Sequence, residues 1–416
     1  MRASGTDHNG PATGRRRLSP RALVAVLLGC TLVLGSAACS GDGKGRTGGL
    51  AWQSGKPEPP PKASAVISAP AANATDVPAS TEVVFTTKDA VKSSFELKDA
   101  AGKAVKGKLK SDGKTWLPDG ALDWGTTYTA TVTATGDDGK PATVTNTFTT
   151  MKEPDKQVRV SSFLGDGQVV GVGMPLIVSF SRAIPESYRD DVQRRMTVQT
   201  TPAQQGAWHW ISPTEIHYRP KEYWKPYTDV AYKIQAGGLP LGDGWYGRAD
   251  LTIDMKIGSA FVMTVDNATK TMTVTKDGKV AKKILVSLGK KTTPSSSGTM
   301  VVMEKLKKTV FDTRAELGPQ DGYRVDIDFA QRLTWGGEFI HAAPWSEGQQ
   351  GKVNVSHGCV NVSMADGAWL FNQTKLGDPI TVKGTEQRIK LGNGWTDWNM
   401  SWDQWIQGSA IPVEKS

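Results

Sequence analysis

From Ser64 to about Lys152 the chain is cut into short β-type runs, "STEVVFTT", "SSFELKD", "TTYTATVTATG" and "ATVTNTFTT", parted by turn formers such as "DDGKP". Apolar and polar residues alternate within the runs, as in a strand with one face buried and the other wet. No helical period intervenes. Short strands at this spacing, with Gly and Asp at the turns, predict a β-sandwich of immunoglobulin type over residues 64–152.

The pattern then starts again. "GMPLIVSFS" echoes "STEVVFTT", and "EIHYRPKEYWKPYTDVAYKIQA" echoes "TWLPDGALDWGTTYTATVTA" about a hundred residues earlier. In each cycle an aromatic precedes a proline, Trp116 before Pro118 and Tyr218 before Pro220. A tryptophan, Trp124 or Trp224, then leads into a Tyr-Thr strand. The echo predicts a second sandwich over 153–257, and two repeats are too few for a solenoid, so the pair reads as a stalk.

A third unit, 258–384, opens with "FVMTVDNATKTMTVTKDGKVAKKILVSLG", whose breaks at Asn267 and Asp277-Gly278 predict successive hairpins. "TTPSSSG" reads as a loop, "GTMVVMEKL" as one strand, and "GGEFIH" as another ending at His341. One helix is predicted, capped by Ser363 with Asp366 at the capping-box position and Ala368, Trp369 and Phe371 on its apolar side. The Trp-rich extension 385–416, "GNGWTDWNMSWDQW" at its core, is expected to pack on this third unit. The fold class is therefore mainly β: two tandem sandwiches, a predominantly β unit with one short helix, and a Trp-rich extension.

The N-terminus has a different grammar. Arg15, Arg16, Arg17 and Arg21 precede an apolar run from Ala22 to Leu34, then Gly35, Ser36, Ala37, Ala38 and Cys39. This reads as an export signal over 1–38, too short in its apolar part to remain as a spanning helix. Cys39 after three small residues resembles the lipobox of bacterial lipoproteins, with Ser36 where that box prefers Leu. The reading is a lipid at Cys39 that anchors the chain to the outer face of the membrane, with plain secretion as its alternative. Residues 39–63, with "GKPEPPPK", read as an extended tether. The arginine run leaves the choice between a general and a twin-arginine export route open.

The formal charge of +9 falls to about +5 beyond residue 38, because the first 38 residues carry five arginines against Asp7. Such a surplus suits a neighbourhood of anionic wall polymer, and no basic-aromatic array points to nucleic acid. With Cys30 in the signal and Cys39 acylated, Cys359 has no disulfide partner.

Cys359 lies in "NVSHGCVNVS", inside an otherwise strand-like run. A lone thiol in an oxidising compartment is either reactive or a liability, although a buried Cys is often only a small hydrophobe. A nucleophilic thiol needs a base or cation beside it, and of the five histidines only His341 and His357 belong to the third unit. In an extended "SHGC" Cys359 and His357 share a side. His341 precedes Cys359 by eighteen residues, and Gly348 and Gly351 make the intervening segment a candidate lid. Zinc is the weaker reading, because no second Cys or CxxC pair exists. No metal or cofactor is expected.

Taken together, "HAAPW", "NVSHGCVNVS", "GDPITVKGT" and "DWNMSWDQW" resemble the peptidoglycan L,D-transpeptidases, in particular the actinobacterial lipoprotein type. His341, Ser356, His357, Gly358, Cys359 and Asn361 fill the places of the family's upstream His and its Ser-His-Gly-Cys-x-Asn motif. The resemblance extends over the two immunoglobulin-like domains as well.

The resemblance implies that Cys359 attacks the bond between the diamino acid at the third place of a stem tetrapeptide and its terminal D-Ala. A thioester forms, D-Ala leaves, and the side-chain amine of a second stem resolves the thioester into a 3→3 cross-link. His341 would be the base, its ring held by the Ala342 carbonyl where relatives often carry Ser. The amides of His357, Gly358 and Cys359 would hold the oxyanion, with His357 orienting the donor. Tyr323, Ala342, Trp345, Ser356 and Asn361 would contact substrate or shape the pocket, and carbapenems would acylate Cys359. An L,D-carboxypeptidase using water as acceptor, and a catalytically dead wall-binding lipoprotein, are the two alternatives.

Overall fold

The computed structural model describes residues 61–312, 314 and 324–413. The expected signal 1–38, Cys39 with most of the expected tether, and Tyr323 lie outside these residues.

The first repeat is two four-stranded sheets face to face. One orders Ser64–Ala69, Val83–Lys88, Thr115–Pro118 and Gly107–Leu109, and the other Ala74–Val77, Pro141–Thr150, Thr127–Thr135 and Lys92–Asp99. Along Thr127–Thr135 the residues Tyr128, Ala130, Val132 and Ala134 are buried, while the threonines between them face outward. Thr127, Thr131 and Thr133 pair through their hydroxyls with Thr149, Thr145 and Thr143 on the wet face.

The second repeat is built alike, with Leu176–Phe180 and Glu215–Pro220 central to one sheet and Asp229–Ile234 and Leu251–Ile257 central to the other. The aromatic-before-proline echo has a structural cause. Gly107 stands opposite Pro118, and Gly206 opposite Pro220. A Cβ at either glycine would collide with the Trp116 or the Tyr218 ring. Each glycine thus lets the aromatic fold across the neighbouring strand and close the core.

Two expectations need correction. The third unit has the one α-helix expected of it, but the described residues hold two more α-helices outside that unit, which the sequence pattern did not lead one to expect. Besides the expected Met364–Gln373, Glu186–Arg194 follows Pro185 in the second sandwich, with Glu186 in its first turn and Arg194 in its last, in keeping with the helix dipole. Trp402–Gln407 carries a full capping box between Ser401 and Gln404. Secondly, "GTMVVMEKL" is two strands in different sheets, Ser296–Val301 and Glu304–Asp312. Val302 donates to Asp378 O and Met303 to Arg332 O, so the two residues between the strands change partners and carry the chain from one sheet to the other.

The third unit comprises a six-stranded mixed sheet and a four-stranded sheet ordered Glu304–Asp312, Arg324–Arg332, Phe339–Ala342, Val360–Val362. Phe261, Met263, Val265, Ile340, Val360, Val362 and Leu370 belong to one buried core of this unit, and Ile327, Ala330 and Phe339 form a smaller one. Ser363 caps the following helix, accepting the Asp366 amide at 3.1 Å and donating its hydroxyl to the Asp366 carboxylate at 2.7 Å.

The tail corrects a third expectation, because its tryptophans pack chiefly on the second sandwich. Trp405 is fully buried and donates its indole N–H to Ala207 O at 2.9 Å, and Trp398 donates to Gly173 O at 2.7 Å. What draws them there is Arg219, whose buried guanidinium lies 4.6 Å from the Trp405 ring and 4.7 Å from Trp398, and donates to Met400 O. Asn399 ties the tail to the third unit as well, accepting from Thr299 N and donating to Thr299 O.

Beside Arg219 lies a buried ion cluster. His217 donates from Nδ1 to Asp397 at 2.7 Å and from Nε2 to Glu215 at 3.0 Å. Burial alone would push the imidazole's pKa down, but the two carboxylates outweigh it and raise the pKa to about 9. Burial likewise opposes ionisation of Asp397, and the imidazolium beside it holds that carboxyl below the usual range. Replacing Asp397 with Ala strands a buried cation, so the expected loss is about 3–5 kcal/mol of stability in denaturant melts at neutral pH. Because the histidine's folded pKa lies above its unfolded value, its contribution is complete below about pH 6.5 and drains away as pH rises through about 9. The wild-type melting temperature should fall over that window more steeply than that of Asp397→Ala.

Candidate active site

Phe339–Ala342 and Val360–Val362 pair in parallel, with Ile340 opposite Val360, His341 opposite Asn361 and Ala342 opposite Val362. Side chains alternate along a strand, so this register sends Ile340 and Val360 into the core and His341, Asn361 and Cys359 to the opposite face. That face lines a cavity of about 450 Å³ with Phe311, Trp345, Ser356 and His357 among its walls. His341, His357 and Cys359, far apart in sequence or on a turn, thus meet at one opening.

His341 is buried and donates from Nδ1 to Ala342 O at 2.8 Å. The bond fixes the proton on Nδ1 and leaves Nε2 the basic nitrogen. Phe311 meets the ring edge-on at 5.5 Å, and Trp345, more than half exposed at the cavity mouth, lies 6.0 Å away. Burial pushes the imidazole's pKa down to about 4, against the pull of the Ala342 carbonyl. Ala342 therefore acts through its main chain.

The half-buried Cys359 thiol points its S–H at Gly337 O, 3.7 Å away. Burial raises its pKa to about 12, opposed by the Phe339 amide and assisted by the negative charge of Glu338. The resting pair is thus neutral thiol and neutral imidazole.

The turn between them is braced from two sides. Ser356 Oγ donates to Cys359 O at 2.7 Å and accepts the Gly358 amide at 3.2 Å. Ser295 Oγ donates to Gly358 O at 2.6 Å and accepts the Gly289 amide. Gly358 has φ +126°, a conformation closed to side-chain-bearing residues. In this turn its amide donates to Ser356 Oγ. Asn361 is buried, donates Nδ2 to Ser346 Oγ at 3.2 Å, and has its backbone locked to Ser287.

Ser295, Ser346, Glu338 and Lys290 were not singled out in the sequence. Ser295 sat in a serine-rich loop whose partner lies more than sixty residues on, a distance no local pattern reports. Glu338 is half-buried beside Gly358 and bonded by Ser296 N and Oγ at 3.0 and 2.6 Å; burial raises its pKa, which these bonds oppose. Of the candidate lid, Gly351 N bonds Val286 O and Val353 O accepts from Ser287 Oγ, fastening its C-terminal part to the six-stranded sheet.

A thiol, a buried imidazole with a free-facing nitrogen and a braced turn over one cavity define a cysteine acyltransferase site. A family profile for the L,D-transpeptidase catalytic domain matches residues 260–382, and one for a bacterial Ig domain matches residues 74–240. L,D-transpeptidase 2 of Mycobacterium tuberculosis (strain CDC 1551 / Oshkosh) is 34% identical over 406 residues, covering 95% of this chain and 97% of that protein. L,D-transpeptidase 5 of Mycobacterium tuberculosis (strain ATCC 25618 / H37Rv) is 33% identical, covering 85% of this chain and 78% of its own length. A solved L,D-transpeptidase in complex with imipenem is 32% identical, with a TM-score of 0.47, over 55% of this chain and 100% of its own. The chain belongs to the L,D-transpeptidase family.

The neutral resting pair has a measurable consequence. With the imidazole near 4 and the thiol near 12, thiolate remains a minor species that grows steadily with alkalinity across the neutral range. Alkylation of Cys359 by iodoacetamide should therefore accelerate about tenfold per pH unit from pH 6 to 9 without levelling. A plateau above pH 6, the mark of a preformed thiolate–imidazolium pair, would contradict the assignment.

Proposed function

We propose that this L,D-transpeptidase acts on peptidoglycan stem peptides, joining them 3→3 through a thioester on Cys359. The observation that carries the reading is the parallel register that puts His341 and Cys359 on one face of one cavity.

The donor's scissile carbonyl enters above Cys359. Sγ bonds to the carbonyl carbon as the S–H proton passes to His341 Nε2, since neither group is charged beforehand. We assign the Cys359 amide to the oxyanion, the Gly358 amide being held by Ser356. The C–N bond breaks, His341 returns the proton to the departing D-Ala amine, and the acyl group stays on sulfur. An acceptor side-chain amine then attacks, gives its proton to His341, and the C–S bond breaks with the proton restored to the thiol. Trp345 at the mouth and Tyr323 are assigned to holding the peptide, and Asn361 and Ser356 to holding the turn.

Export and anchoring are part of the same reading. The arginine run, the short apolar stretch and Cys39 support a lipid-anchored chain working in the wall outside the membrane, without nucleic-acid partners. We place the divisions at 64–152, 153–257, 258–384 and 385–416. The second sandwich shares a core with the catalytic unit, since Val301 and Met303 pack with Val170, Met174 and Leu176. The first is joined to the second by polar bonds, Arg195 to Ser80 O and Glu82, Gln235 to Pro118 O, and Lys233 to Asp119 O.

Cys359→Ala should abolish dimer formation from purified stem tetrapeptide, and with it the mass increment a carbapenem leaves on the Cys359 peptide, at a cost of about 1–2 kcal/mol in stability. Trimmed monomers in place of dimers from the wild type would favour hydrolysis; an unlabelled and inert wild type would mark a dead module.

Deleting residues 64–152 should cost more activity on intact sacculi than on soluble stems, because only reach is lost. Equal loss on both, with normal melting, would give the first sandwich a substrate-binding role.

A further inference from the structure

One charged contact at the cavity rim has no part in the chemistry above. Lys290 Nζ lies 3.1 Å from His357 Nε2. An ammonium can only donate, so Nε2 accepts and the ring's own proton sits on Nδ1. Lys290 is exposed at its tip but fixed at its base: its amide donates to Ser356 O at 2.9 Å, Gly289 bridges Ser356, and Thr293 Oγ1 donates to Ser356 O at 3.3 Å. The segment that carries the cation is thus bonded to the turn that carries the nucleophile.

The substrate's chemistry asks for a cation at this place. The residue expelled from the donor ends in a free carboxylate, and three backbone bonds put the carbon of that group about 3–4 Å from the carbonyl carbon that sulfur attacks. Among the described residues lining the cavity none is Lys or Arg, and the buried His341 is held neutral. The nearest negative charge behind the turn, Glu338, repels an acid. His357 lines the cavity two residues from Cys359 and has Lys290 at its back.

We infer that Lys290 and His357 form the recognition subsite for the free carboxylate of the leaving residue, so that the enzyme selects stems ending in an acid. His357 is the cavity-lining member of the pair, and Lys290 is a positioning residue that holds it from behind and supplies the positive charge. The inference rests on Cys359 as nucleophile and adds a substrate feature to it.

The test uses the full chain as wild type, Lys290→Gln and Lys290→Arg, with a stem tetrapeptide bearing either a C-terminal carboxylate or a C-terminal carboxamide. Release of the terminal residue is followed, with KM and kcat separated, alongside alkylation of Cys359 by iodoacetamide. Lys290→Gln should lower kcat/KM for the acid about tenfold, mainly through KM, and leave the amide and the alkylation rate unchanged. Lys290→Arg should restore most of the acid preference, and raised salt should erode it in the wild type. An acid preference that survives Lys290→Gln, or an equal fall on acid and amide, overturns the inference. Release that survives Cys359→Ala strikes the nucleophile reading itself, and the inference with it.

Discussion

The site depends on one strand pairing. Phe339–Ala342 and Val360–Val362 run parallel, so their connection must cross over, and the "APWSEGQQGKVNVS" segment between them does so. A slip of one residue would turn Cys359 into the core and Ile340 or Val360 into the cavity. The burial of Ile340, Val360 and Val362 therefore fixes the register, and the register puts the thiol and the imidazole on one face of one cavity. Hydrophobic packing on one face sets the geometry of chemistry on the other.

The same burial governs the electrostatics. It pushes the thiol up and the imidazole down, so the enclosed pair rests uncharged. A neutral pair in a cavity is chemically quiet until a substrate enters, because separating charge there is costly without an oxyanion to stabilise. The bracing hydroxyls of Ser295 and Ser356 keep the Gly358 turn in place meanwhile, so the backbone does not have to reorganise as sulfur attacks.

The sandwiches were legible because alternation, turn residues and the repeated aromatic-proline step are local signals, and the cysteine and histidines that meet at the cavity were legible because one motif carries most of them. What stayed hidden was long-range. Whether "GTMVVMEKL" is one strand or two is decided by partners at Asp378 and Arg332, and the helix Glu186–Arg194 is a short polar segment whose stripe is too weak to see among strands. Ser295 and Lys290 lack any pattern of their own, because their meaning comes from a turn more than sixty residues away. Tryptophans announce burial without naming the surface they will cover, which is how the tail was assigned to the wrong neighbour.

That tail explains how a β-stalk can hold a catalytic unit firmly. The second sandwich offers two buried cations, Arg219 and the His217 imidazolium, which no residue within the sandwich fully answers. The tail supplies Asp397, the Met400 carbonyl and the faces of Trp398 and Trp405. Separating them would leave charge in a dry interface, so the clasp is specific as well as strong. Because Asn399 in the same stretch grips Thr299 of the catalytic unit, the chain's end sews the two units together after the sequence has passed through both. The unit that bears the cavity is thereby held to the second sandwich by the tail as well as by the core that the two share.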